Sequence, residues 1–213
     1  MTEGASEGMS RGGAAKGLLK LLLSLLVTTR GPRGRVYLTF DDGPIPDCTP
    51  RILDVLDAHS VKATFFMVGA LMQRHPGLAA EVVAKGHTAG YHSFQHRHAR
   101  DYSIRDTIRD LETIRNVPGW TSGPIRHYRP PYGELTAVRL LWCLVNRIDV
   151  AMWSLDSGDS VIPSAEELVR QLSPEVVRDG DVILFHDDSK VTVEALPRIL
   201  QNLRNAGFTF AAL

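Results

Sequence analysis

From Arg35 onward the chain alternates short apolar runs rich in Val, Phe and Tyr with longer stretches of helical period. The short runs predict strands at Val36 to Phe40, Ala63 to Val68, Thr88 to Tyr91, Ile125 to Tyr128, Asp149 to Leu155, Asp181 to Phe185 and Phe208 to Phe210. Helix starts fall between them. Thr49-Pro50 reads as an N-cap and first helical position ahead of Ile52, Val55 and Leu56. Ser103 and Asp106 precede Ile108 and Leu111, Ser164 and Glu167 form a capping box before Leu168, Val169 and Leu172, and Gly207 closes the last helix. Repeated strand-then-helix order predicts a parallel sheet joined by right-handed crossovers, an α/β fold.

Residues 1–34 read differently, as an N-terminal arm to a single domain at 35–213. Met1 to Gly13 carries no hydrophobic period and reads as a solvated lead-in. Leu18 to Val27 is apolar except for Lys20 and Ser24, and too short to span a bilayer. Lys16, Lys20, Ser24 and Thr28 recur every four residues, which predicts an amphipathic helix. Packing against the domain and peripheral contact with a membrane surface fit that helix equally. An export signal ranks third, because no small-x-small cleavage site follows. The expected location is the cytoplasm or the inner face of the membrane, with a secreted or periplasmic protein as the alternative.

Composition narrows the picture further. Lys+Arg and Asp+Glu each number 24, so no basic stripe is left over to release counterions from nucleic acid. Cys48 and Cys143 lie far apart and form no CxxC pair, so they read as two small apolar residues. Eight histidines are the feature to locate.

Both a closed or nearly closed barrel and an open doubly wound sheet satisfy the alternation, and the polar clusters choose between them. Asp41-Asp42 follows the first strand, His92 to His96 the third, Arg129 to Tyr132 the fourth, Asp156 to Asp159 the fifth and His186-Asp187-Asp188 the sixth. In a barrel these strand ends meet at one rim. An open sheet would spread them along an edge too long for one substrate.

Adjacent carboxylates on extended chain point to opposite sides, so Asp41 and Asp42 can serve different partners, one a metal and the other a proton. His92 and His96 stand four apart, the spacing that brings two imidazoles to one side of a helical turn and lets them chelate one ion. The residue after His92 is Ser93, not the Glu of a zincin peptidase. Two His and one carboxylate leave coordination positions open for water, the pattern of a catalytic site. Zinc suits this donor set, as do cobalt, nickel and manganese to varying degrees. His59, His75, His87, His98 and His127 lack comparable partners and read as surface or structural residues.

In this order, Thr39-Phe40-Asp41-Asp42-Gly43-Pro44, His92-Ser93-x-x-His96, Arg129-Pro130-Pro131-Tyr132-Gly133, Asp156-Ser157-Gly158-Asp159 and Leu184-Phe185-His186-Asp187 resemble the five motifs of the NodB-homology polysaccharide deacetylases, carbohydrate esterase family four. The resemblance runs from about Val36 to Phe210. It implies a distorted, TIM-like (β/α) barrel holding one divalent metal, and removal of N-acetyl groups from amino sugars in a glycan. By the same resemblance Asp41 is the general base, and Asp42, His92 and His96 are the metal ligands. Arg129 positions the base, and the Tyr132 backbone N–H donates to the oxyanion. His186 is the general acid with Asp156 as its orienting partner, while Pro131, Tyr132, Trp153 and Leu184 line the substrate pocket. The family's usual Trp after the fourth motif is Ser160 here, so one wall of the pocket is altered. Two alternatives remain: a deformylase or deacetylase of a lipid-linked sugar at the membrane surface, and a catalytically silent glycan-binding barrel.

Overall fold

A computed structural model describes residues 26–213. In chain order it contains strands β1 (Val27–Thr28) and β2 (Val36–Asp41), helix α1 (Thr49–Ala58), β3 (Thr64–Met67), helices α2 (Gly69–Arg74) and α3 (Pro76–Ala84), β4 (Thr88–Tyr91), α4 (Ile104–Glu112) and β5 (His127–Tyr128). There follow α5 (Ala137–Val145), β6 (Asp149–Ala151), β7 (Leu155–Asp156), α6 (Ala165–Gln171), β8 (Val182–His186), α7 (Lys190–Asn205) and β9 (Phe210–Ala211). All named strand pairs are parallel, in the order β1-β6-β5-β4-β3-β2-β8-β7, with β9 beside the start of β2.

The sequence reads Asp149 to Leu155 as one strand, but Met152-Trp153-Ser154 splits it. Its halves, β6 and β7, pair toward opposite ends of the sheet. The four Cα–Cα steps from Ala151 to Leu155 span at most ~14 Å, so the two ends must curl towards each other. The result is a barrel with a slit. Arg129 lies at the slit, its Nε donating to Ala151 O (3.1 Å) and its Nη2 to Met152 O (2.8 Å).

The split also corrects the arm. Val27 and Thr28, expected at the end of a helix, are strand instead: Val27 pairs with Val150 and Thr28 with Ala151, and Arg30 bridges the buried Asp181 at 2.7 Å. The last part of the 1–34 arm therefore belongs to the sheet. Leu18 to Ser24, with the rest of that expected helix, lies outside the described residues. Among the described residues no helix is long and apolar enough to cross a membrane. Cys48 and Cys143 are buried free thiols.

β2 is buried along its whole length, as expected of a strand covered on both faces. Alternation sorts its side chains. Leu38 and Phe40 enter the apolar core with Phe65, Phe185 and the helix residues Ile52, Leu56, Leu196 and Ile199. Phe40 stacks on Phe65 (5.0 Å between centroids) and Phe185 (5.4 Å). Thr39 and Asp41 take the opposite side, within reach of Arg129 inside the barrel. Phe66 fills that interior and lies under the Arg129 guanidinium at 4.1 Å. A Cβ on Gly90 would come within 2.4 Å of the Phe66 ring, so the neighbouring strand needs glycine there.

Behind the rim, Asp187 is fully buried. Its Oδ2 accepts from Thr49 Oγ1 (2.8 Å), and its Oδ1 has no hydrogen-bond partner. Thr49 is thus the first residue of α1, with Cys48 at the cap position, and its hydroxyl is spent on Asp187 and on the Ile45 N–H. Burial, with the nearby Asp188, Asp42 and Asp41 charges, pushes the Asp187 carboxyl up to about 8. A carboxyl raised on folding binds more protons in the native state, so it lowers stability as pH rises from about 4 to about 8. Asp187→Asn should therefore raise Tm relative to wild type at pH 8, with the gain shrinking towards pH 4. Equal differences at both pH values in thermal melts would refute this assignment.

Candidate active site

Five strand ends deliver the site. Asp41 closes β2, and its Oδ1 accepts from Arg129 Nη1 at 2.7 Å. Arg129 is fully buried, yet it also donates to Thr39 Oγ1 (2.8 Å) besides its two carbonyl bonds. The guanidinium is thereby held rigidly against one Asp41 oxygen. The other oxygen, Oδ2, lies 3.6 Å from His92 Nε2.

Asp42 lies just past the end of β2 in the left-handed region, at φ +73, so the alternation expected of an extended chain does not continue through it, and both carboxylates approach His92. Its Oδ1 lies 3.0 Å from His96 Nε2 and 3.5 Å from His92 Nε2. His92 Nδ1 contacts the Arg129 carbonyl at 2.7 Å. That carbonyl can only accept, so Nδ1 carries the proton and Nε2 presents its lone pair to Asp42 and His96. Burial lowers the His92 pKa, which favours the neutral ring a metal requires. For Asp42 burial works to raise the pKa, but the close approach of the His96 imidazole and the charges of His92, His96 and His186 leave it lowered.

One donor atom from each of Asp42, His92 and His96 lies within 4.8 Å of the others. Asp42 Oδ1 is buried without a well-formed hydrogen bond, an expensive state that a cation would relieve. The trio therefore fits a divalent ion on its own geometry. The two histidines do not lie on a helical turn, however. Ser93 (φ +60) and His96 (φ +50) are left-handed, and the loop is held by Ser93 Oγ accepting from His96 N (3.0 Å) and by buried Asp110 accepting from Phe94 N (2.7 Å). Strain of this kind, of order 1–3 kcal/mol per residue, persists where the surroundings impose it.

The cavity in front of these groups measures about 330 Å³. Its lining includes Pro130, Tyr132, Trp153, Leu184 and His186 beside the Asp and His cluster. Pro131, expected in the wall, does not line the cavity, and its neighbour Pro130 does. Ser160 lines the cavity where a bulky aromatic is usual in the resemblance.

The carboxylate behind His186 is Asp159, not Asp156. His186 Nδ1 lies 2.7 Å from Asp159 Oδ1, and Asp159 Oδ2 accepts from His186 N (2.8 Å) and from Thr192 Oγ1. Asp156 is exposed at the rim and accepts only from Gly158 N (2.9 Å). Gly158, at φ +73, reverses the chain between them and sends the second carboxylate inward. That glycine was the available sequence signal. Burial pulls His186 down, but the hydrogen bond and charge of Asp159, helped by Asp42 and Asp41, outweigh it and lift the ring to about 9.

A parallel half-closed barrel with a His-His-Asp trio that fits a cation, an Arg-braced carboxylate and an Asp-braced histidine at one rim defines a hydrolase of acid–base type. The polysaccharide deacetylase domain matches residues 28–144. A peptidoglycan-N-acetylglucosamine deacetylase of Bacillus cereus is 33% identical over 184 residues, covering 84% of this chain and 85% of that protein. The crystal structure of the Bc1960 peptidoglycan N-acetylglucosamine deacetylase superposes with TM-score 0.85 at 28% identity, covering 92% of this chain and 94% of that one. A family-four pseudoenzyme from Bacillus anthracis superposes with TM-score 0.81 at 25% identity, covering 88% and 67%. The chain belongs to the polysaccharide deacetylase family.

Proposed function

We propose that the protein removes N-acetyl groups from amino sugars of an oligo- or polysaccharide. The observation that carries this is the opposition, across one cavity, of a carboxylate braced by Arg129 and a histidine braced by Asp159. Amide hydrolysis needs such a pair: a base to take a proton from the attacking water and an acid to protonate a poor amine leaving group. Asp41 is the base and His186 the acid. Asp42, His92 and His96 hold the divalent ion, which supplies carbonyl polarisation and a more acidic water. Tyr132 N–H donates to the oxyanion, and Trp153 with Leu184 forms the apolar seat for the acetyl methyl. A pseudoenzyme on this fold shows that architecture alone carries no activity, so it matters that base, acid and all three ligand positions are present here.

The test is acetate release from chitin oligomers, peptidoglycan and an exopolysaccharide, with metal-free protein and after addition of zinc, cobalt, nickel or manganese. Release from at least one glycan, dependent on added metal, is expected. Tight glycan binding without acetate from any of them would instead establish a silent barrel. Asp42→Ala should abolish zinc binding in calorimetry and reduce acetate release to background; retained zinc affinity would remove Asp42 from the ligand set. Deleting residues 1–24, most of the Leu18 to Val27 run that motivates the membrane-surface reading, and measuring vesicle partition and activity tests that reading.

A further inference from the structure

Tyr132 is an aromatic residue in the left-handed region, at φ +57 and ψ 15, in a three-residue turn. Left-handed backbone costs a non-glycine residue ~1–2 kcal/mol, so something outside the turn must favour it. Its ring is stacked on His98, with centroids 3.8 Å apart and planes 14° off parallel. On another side lies the His96 ring at 4.7 Å. His98 in turn is fixed by Glu134, whose Oε1 lies 3.0 Å from His98 Nδ1 and whose Oε2 accepts from Ala99 N at 2.5 Å. The Glu134 carbonyl is held by buried Arg139, Nη1 donating at 2.6 Å.

Glu134 stands two residues after Tyr132, while His98 and Ala99 follow His96 on a separate loop. We propose that Glu134 and His98 form a positioning clasp that joins the metal-ligand loop to the Tyr132 turn and fixes where the Tyr132 N–H stands relative to Asp42, His92 and His96. The clasp acts through Tyr132, and it rests on the deacetylase reading for its kinetic consequence only. Misplacing a group by ~1 Å costs on the order of 10²-fold in rate, and a clasp between two loops guards against that displacement.

The variants are His98→Ala, Glu134→Ala and His98→Phe, each zinc-loaded. Phe keeps a ring face for Tyr132 and leaves Glu134 its bond to Ala99 N. Expected are ~10- to 100-fold losses of kcat for acetate release from an N-acetylglucosamine pentamer in both Ala variants, with KM and zinc affinity within about twofold of wild type. His98→Phe should recover most of that loss. A merely structural role would lower Tm and zinc affinity together and would not be rescued by Phe. Wild-type kcat in both Ala variants, or His98→Phe as poor as His98→Ala, overturns the clasp. An activity-independent readout is the Tyr132 amide resonance in ¹⁵N-tyrosine-labelled, zinc-loaded protein. It should shift in both Ala variants and hold in His98→Phe; an unmoved resonance in the Ala variants rejects the clasp. If wild type releases no acetate from any glycan, the deacetylase reading fails and this resonance alone decides the clasp.

Discussion

Asp41→Asn should reduce acetate release by about 10³-fold or more while leaving zinc bound, within the ~10²–10⁴ that a positioned general base contributes. The amide has the shape of the carboxylate and can still accept from Arg129, but it cannot take a proton from water. Zinc should stay because Asp42, His92 and His96 are untouched. A second consequence follows from burial. Arg129 is fully buried and Asp41 is the carboxylate paired with it, so removing that charge leaves a guanidinium uncompensated. Breaking a buried pair typically costs ~3–5 kcal/mol, and less where a hydrogen bond survives. The variant should therefore melt lower than wild type, and kcat must be read at a temperature where circular dichroism shows it folded. Wild-type acetate release by folded, zinc-loaded Asp41→Asn would take the base away from Asp41.

The rim could be read from sequence because a parallel sheet carries all its strand C-termini to one side, so polar clusters at strand ends converge wherever the individual helices go. Asp41, Asp42, His92, His96, Arg129 and His186 were recoverable on that ground with the family resemblance. Three features were hidden for distinct reasons. The slit between β6 and β7 falls in Met152-Trp153-Ser154, whose apolar character continues the strand pattern; the break is imposed by Arg129 taking the Ala151 and Met152 carbonyls, a partner 22 and 23 residues away. The clasp joins Glu134 to His98 across 36 residues, and neither stands in an apolar period that would flag it. Val27 and Thr28 complete an amphipathic repeat yet find an edge strand to pair with, which outweighs local helical preference.

The choice between Asp156 and Asp159 carries the other large effect. Asp159→Asn should lower kcat at pH 8 by about 10²-fold or more, since His186 must be both oriented and protonated to act as acid. Both Asp159 oxygens accept hydrogens, Oδ1 from the His186 ring and Oδ2 from His186 N and Thr192 Oγ1. An amide offers one acceptor and one donor there, so at least one contact becomes donor against donor. The His186 pKa then loses the interactions that lift it to about 9, and burial pulls it towards or below its ordinary 6.5. A general acid works only below its pKa, so the alkaline limb of the wild-type kcat profile should lie near 9, drawn down somewhat by the charge of a cation at Asp42. In Asp159→Asn the limb should fall below about pH 7. Stability follows with the same sign: a histidine raised on folding stabilises fully below about 6.5 and loses that contribution as pH rises through about 9. The variant's deficit in Tm should accordingly be larger at pH 6 than at pH 10. Asp156→Asn serves as the contrast, because that side chain is exposed and holds only the Gly158 N–H. It should leave the limb in place and change kcat by less than about threefold; the reverse pattern, with the limb moving in Asp156→Asn and fixed in Asp159→Asn, would restore Asp156 as the partner of the acid.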